Sequence, residues 1–73
     1  MNLNEAKNLS PRDIIFHVSW KNADGTPQRY RVNGRVKTWK TRPLEVRVPL
    51  KRGLYEFGYL TQNCLDAFSL KET

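Results

Sequence analysis

The chain has 73 residues, 38% of them hydrophobic and 27% charged, with eight aromatics and a formal net charge of +6. This length allows one domain with a modest core, and the aromatic content argues against an intrinsically disordered chain. The positive charge selects anionic partners in general (nucleic acid, an acidic protein face or an anionic membrane surface) and by itself does not choose among them.

In chain order, residues 1–10 read as a flexible leader that gains at most a short helical turn before Pro11, and residues 11–73 as one small domain. The leader lacks the apolar stretch of a secretory signal, and no run of about 18 apolar residues occurs anywhere. These features predict a cytoplasmic protein with no membrane contact. From Asp13 the sequence DIIFHVSWK alternates, with Ile14, Phe16, Val18 and Trp20 on one face and Ile15, His17, Ser19 and Lys21 on the other. The strand ends where Asp24-Gly25 supplies a tight turn and Pro27 cannot donate to a ladder. His17 has no second His or Cys at metal spacing, so it is read as a half-exposed structural residue and no metal or other cofactor is expected.

A second strand is expected from Gln28, and Asn33-Gly34 is a strong short hairpin signal because both residues tolerate positive φ. Two registers are open. A two-residue type I′ loop sets Val32 opposite Arg35, Tyr30 opposite Lys37 and Gln28 opposite Trp39. A three-residue loop with a bulge at Gly34 sets Arg31 opposite Arg35, Tyr30 opposite Val36 and Arg29 opposite Lys37. The bulged register is preferred, since it separates a core row (Tyr30, Val36, Thr38) from an outer row of cations that ends in Trp39.

Thr41-Arg42-Pro43 breaks the chain, Leu44 to Val48 alternates again, and Pro49 ends that strand or confines it to a sheet edge. A turn at Lys51-Arg52-Gly53 leads into Leu54 to Leu60, with Tyr55, Phe57 and Tyr59 on one face. These three aromatics are read as core bulk, with a platform role for Tyr55 and Tyr59 only if that face turns outward. Thr61 and Asn63 are alternative N-caps for one helical turn whose Leu65 and Phe68 face inward. Cys64, the only cysteine, excludes an intramolecular disulfide, suits a reducing compartment and is read as a small buried hydrophobe. Five short strands joined by tight turns imply an all-β antiparallel fold: a small, partly open barrel, SH3-like or alternatively OB-like, with one short helical turn near the C-terminus.

Nine of the thirteen basic residues lie between positions 29 and 52, where Glu45 is the sole acid, so this segment carries +8 and the rest of the chain −2. Like charges opposed across a ladder repel, and the pairing is easier to understand if a polyanion lies over it. The expected contacts are phosphate on Arg29, Arg31, Arg35, Lys37, Lys40, Arg42, Lys51 and Arg52, and an unpaired base on Trp39. The plainer reading is that strand lysines and arginines protect an exposed edge from aggregation while Trp39 packs the barrel's end. The charge asymmetry ranks the polyanion surface first.

The acids are scattered singly, no glycine-rich phosphate loop occurs and no Ser/His/Asp order stands out, so no catalytic activity is expected. The expected function is non-catalytic binding of DNA or RNA; docking on an acidic protein surface, as an interaction module or inhibitor, is the alternative. The expected state is a monomer or weak oligomer. The stretch NGRVKTWKTRPLEVRVPLKRGLYEFGYLT, from Asn33 to Thr61, resembles a group of small basic proteins of bacteria and their viruses that share TWKTRP-like and GLYEFGYLT-like segments. The resemblance implies a prokaryotic or phage source and an accessory role, and it carries over no fold, activity or functional residue.

Overall fold

The computed structural model describes residues 1–72. The fold is mostly antiparallel sheet: β1 (Ile14–Lys21), β2 (Pro27–Val32), β3 (Lys37–Trp39), β4 (Arg42–Arg52), β5 (Glu56–Thr61) and β6 (Phe68–Ser69), with a helix α1 (Leu3–Lys7) ahead of them and a 3₁₀ helix (Gln62–Ala67) before β6. The strands form one open six-stranded sheet in which β4 holds β5 on one side and both β2 and β3 on the other, with β1 beside β2 and β6 beside β1. The alternating segment DIIFHVSWK becomes β1, and the Asp24-Gly25 turn forms as expected: Asn22 N–H donates to Thr26 C=O at 2.7 Å, and the Asp24 carboxylate accepts from the Thr26 backbone and hydroxyl.

Asn33-Gly34 does not reverse the chain. β2 and β3 both run antiparallel to β4 and lie end to end along the same edge of it, so neither expected hairpin register occurs. Val32 pairs with Leu50 and Lys37 with Arg47; four residues on one strand therefore span two on the other, which is a bulge with two extra residues. Its cause sits across the ladder. Asn33 N–H donates to Pro49 C=O at 2.8 Å, so Pro49 points its donorless nitrogen at the bulge, where no ladder bond is missed. Gly34, at φ +155°, lies so near the proline ring that an added Cβ would stand 3.1 Å from Pro49 Cγ. The expectation that Pro49 ends its strand or confines it to an edge is corrected for the same reason: β4 runs on to Arg52 in the middle of the sheet because the bulge accommodates the proline.

The true reversal between β3 and β4 is the two-residue turn Lys40-Thr41, flanked by the Trp39–Arg42 pair. The turn before β5 is Gly53-Leu54-Tyr55, with Gly53 at φ +66°, so β5 begins at Glu56 and not at Leu54.

The core is aliphatic. Ile15, Val32, Val46, Val48, Leu50 and Leu60 are buried on one face of the sheet together with Phe68, and Ala6 and Leu9 of the N-terminal segment join them. The segment read as a loose leader thus carries α1, closed by a capping box in which Asn2 accepts from Glu5 N–H at 2.7 Å and Glu5 accepts from Asn2 N–H at 2.9 Å. The expected helical turn near the C-terminus is the 3₁₀ helix, kinked at Cys64, whose Sγ lies 3.3 Å from Thr61 N and 3.4 Å from Thr61 O. Thr61, and not Asn63, is its N-cap residue. Gln62 extends the ladder beyond β5 by accepting from Val46 N–H at 3.1 Å.

β1 bends where four of its residues, 17–20, face only Gln28 of β2. His17 is the reason the bend is tolerated: its Nδ1 accepts from Ser19 N–H at 3.1 Å and from Trp20 N–H at 2.8 Å, two donors that the irregular ladder leaves to it. Trp20 stacks flat on the imidazole at 4.1 Å, and Phe68 meets it edge-on at 5.3 Å. His17 is therefore structural but 6% exposed, and not half-exposed as expected. Burial lowers its pKa below the ordinary 6.5, and a neutral ring with its proton on Nε2 is what the two bonds to Nδ1 require.

Below pH 6.5 the unfolded chain binds a proton at His17 that the folded chain does not, so stability is full above that value and falls with pH towards the lowered folded pKa. The urea midpoint is expected to drop between about pH 7 and 5. His17→Gln should flatten that slope while lowering the midpoint at pH 7, because two partly buried N–H groups lose their acceptor, a change of about 1 kcal/mol.

Candidate nucleic-acid interface

The register fixes which side chains share the outer face, opposite the aliphatic core. One row across the sheet reads Ile14, Arg31, Lys51, Phe57; another reads Lys37, Arg47, Thr61; between them Pro49 stands beside Tyr59, and Phe16 stands beside Arg29 at the β1 end. These rows contain no carboxylate. Alternation is what produces them: the residues at 46, 48 and 50 point inward, so those at 47, 49 and 51 point outward, and the same parity carries through β2 and β5.

Of the residues expected to form the site, Arg29, Arg31, Lys37 and Lys51 gather on this face. Arg35 is exposed within the bulge and Lys40 in the turn after β3, at the same end of the molecule as Lys37. Arg42 begins β4 opposite Trp39 and forms an exposed ion pair with Glu45 at 3.5 Å. Arg52 does not belong to this face: its register partner is Glu56, which it meets at 2.7 Å, and both lie on the core side of the sheet near Tyr30. Trp39 is half-buried at the strand end, with Lys37 Nζ 5.4 Å from its ring centroid. Among the described residues the other seven cations of the basic segment have no carboxylate partner.

Four residues were missed or misread from the sequence. Arg47 occupies the centre of the face, and its position opposite to Val46 and Val48 in the alternation is the signal that could have placed it. Tyr55, Phe57 and Tyr59, read as core bulk, are 88%, 67% and 58% exposed. Phe57 and Tyr59 stand next to the cations: Lys51 Nζ is 5.8 Å from the Phe57 ring centroid and the Arg47 guanidinium carbon 4.4 Å from that of Tyr59. The correction has a physical source, since α1 and the 3₁₀ helix supply the apolar cover for which the aromatics seemed necessary.

Arg29, Arg31 and Lys51 also wall a shallow depression of about 390 Å³ together with Ile14, Gly53 and Leu54. A concave patch with three cations and no acid suits a phosphate group, to which guanidinium can donate two parallel hydrogen bonds and ammonium acts as a point charge. No group of three or more potential metal ligands occurs among the described residues, and none of their helices is long and apolar enough to cross a membrane. Compared with protein-family models, curated proteins and solved structures, the chain shows no significant match to any of them.

Proposed function

We propose that the protein is a non-catalytic nucleic-acid-binding module whose outer sheet face holds the phosphate backbone. The observation that supports this most is the carboxylate-free pair of rows containing Arg31 with Lys51 and Lys37 with Arg47, flanked by Arg29. Arg35, Lys40 and Arg42 extend the positive surface along β3, and Trp39 offers an aromatic at its end. Opposed cations repel across a ladder, and a bound polyanion relieves that repulsion. The fold reading that goes with it is a small, partly open SH3-like barrel, supported by the 3₁₀ helix that carries the chain from β5, at one end of the strand order, to β6 at the other. One half-buried cysteine held by Thr61 is compatible with a cytoplasmic setting.

Titration against oligonucleotides at two salt concentrations tests the proposal. Affinity is expected to fall as salt rises, with a log-log slope of about −0.7 per phosphate neutralised on a single strand or about −0.9 on duplex. An absence of binding to DNA and to RNA at the lower salt overturns it. A second reading, docking on an acidic protein surface, draws on the exposed Leu54 at the rim of the basic depression and on its exposed chain neighbour Tyr55. Capture of a protein partner from nuclease-treated lysate, lost on Arg31→Ala, distinguishes that case.

A further inference from the structure

We infer that the nucleic acid taken by this face is single-stranded, with successive bases stacked on Phe57 and Tyr59. The inference rests on the nucleic-acid reading above and goes beyond it by naming the form of the polymer and the side chains that select it. Phe57 and Tyr59 are two residues apart on β5 and point to the same side, so their Cα atoms are separated by roughly 7 Å, two strand rises. Both rings are mostly exposed and neither is part of the core.

Cations flank each ring on the neighbouring strand. Lys51 is the direct register partner of Phe57, and Arg31 stands one strand further on; Arg47 lies over Tyr59, with Lys37 as its own partner on β3. A single strand running along β5 thus meets a ring and a pair of cations, then a second ring and a second pair. A base arriving at Tyr59 takes the place of the Arg47 guanidinium, which moves from the ring to phosphate. A duplex meets only the cations, because its base faces are stacked on one another and its exposed edges offer no plane to a side chain. Stacking is indifferent to base identity, since every base has a π-face, so the preference is for strandedness and not for sequence.

The double variant Phe57→Ala, Tyr59→Ala tests this in the full chain, with a single-stranded oligonucleotide of mixed sequence and the duplex of the same length as probes. For the unaltered chain, tighter binding to the single strand is expected. In the variant, single-strand affinity should fall roughly 5- to 150-fold per ring lost, the range that corresponds to base–aromatic stacking, while the salt slope and the duplex affinity stay unchanged. The conservative variant Tyr59→Phe should keep single-strand affinity, and a thermal melt checks that each variant is folded. Equal losses on both probes, or no loss on either, overturn the stacking inference and leave phosphate binding in place. No binding to either probe by the unaltered chain at low salt overturns both readings.

Discussion

Reversing two charges at the centre of the face, Arg31→Glu with Lys51→Glu, is expected to lower oligonucleotide affinity by two orders of magnitude or more and to flatten the salt dependence. The two residues are register partners on adjacent strands, and neither has a carboxylate neighbour among the described residues, so both are available to phosphate. Losing two phosphate contacts reduces the slope on a single strand by about 1.4, at about 0.7 for each. The reversed charges then add repulsion from the same phosphates. Arg52→Glu is the informative comparison. Arg52 carries the same formal charge but belongs to the core side and is engaged with Glu56, so its reversal should leave the slope nearly unchanged. A competition titration over several salt concentrations reads both quantities, and identical slopes for the two variants would refute the division of cations between faces.

Truncating Leu60 to alanine is expected to remove about 2–5 kcal/mol of stability. Leu60 is fully buried, pairs with Val48 across the β4–β5 ladder and belongs to the one aliphatic cluster. Against about 4–11 kcal/mol in total for a chain of this length, such a loss removes a large share of the stability and, at the low end of that range, unfolds the chain. Tyr59→Ala, one residue away and outward-facing, should change stability by only about 0.5 kcal/mol. Urea midpoints with unchanged m-values would record the difference. A Tyr59 cost comparable to that of Leu60 would mean that the aromatics are core after all, and would remove the basis for the stacking inference.

The sequence made some elements plain and concealed others for identifiable reasons. β1 was legible because its alternation is uninterrupted, yet which of its faces turns inward was not, since Ile14 and Phe16 of its apolar-rich face turn outward while the inward side pairs Ile15 with a histidine that serves the backbone. The basic segment was legible as a concentration of charge, and four of its nominated residues share a face. Its geometry was misread at Asn33-Gly34. Positive φ is needed both in a tight turn and in a bulge, and what separates the two uses here is Pro49, fifteen positions beyond Gly34 in the chain and adjacent only once the strands pair. The actual turn, Lys40-Thr41, lacks the glycine or asparagine that marks reversals. The outward set of Phe57 and Tyr59 was hidden because hydrophobicity counts the bulk available for burial but not the bulk that another element has already supplied.

The interruption between Val32 and Lys37 also sets the phase of everything after it. Because the surplus is an even number of residues, Arg31 before it and Lys37 beyond it emerge on the same side of the sheet. Deleting one residue there would move Lys37 to the core side of the sheet and Thr38 to the outer side, breaking the basic track in half, whereas deleting Arg35 and Val36 together would keep both halves in phase but close the ladder against a proline. The parity of a four-residue irregularity thus determines whether the protein presents one continuous charged surface or two unrelated ones.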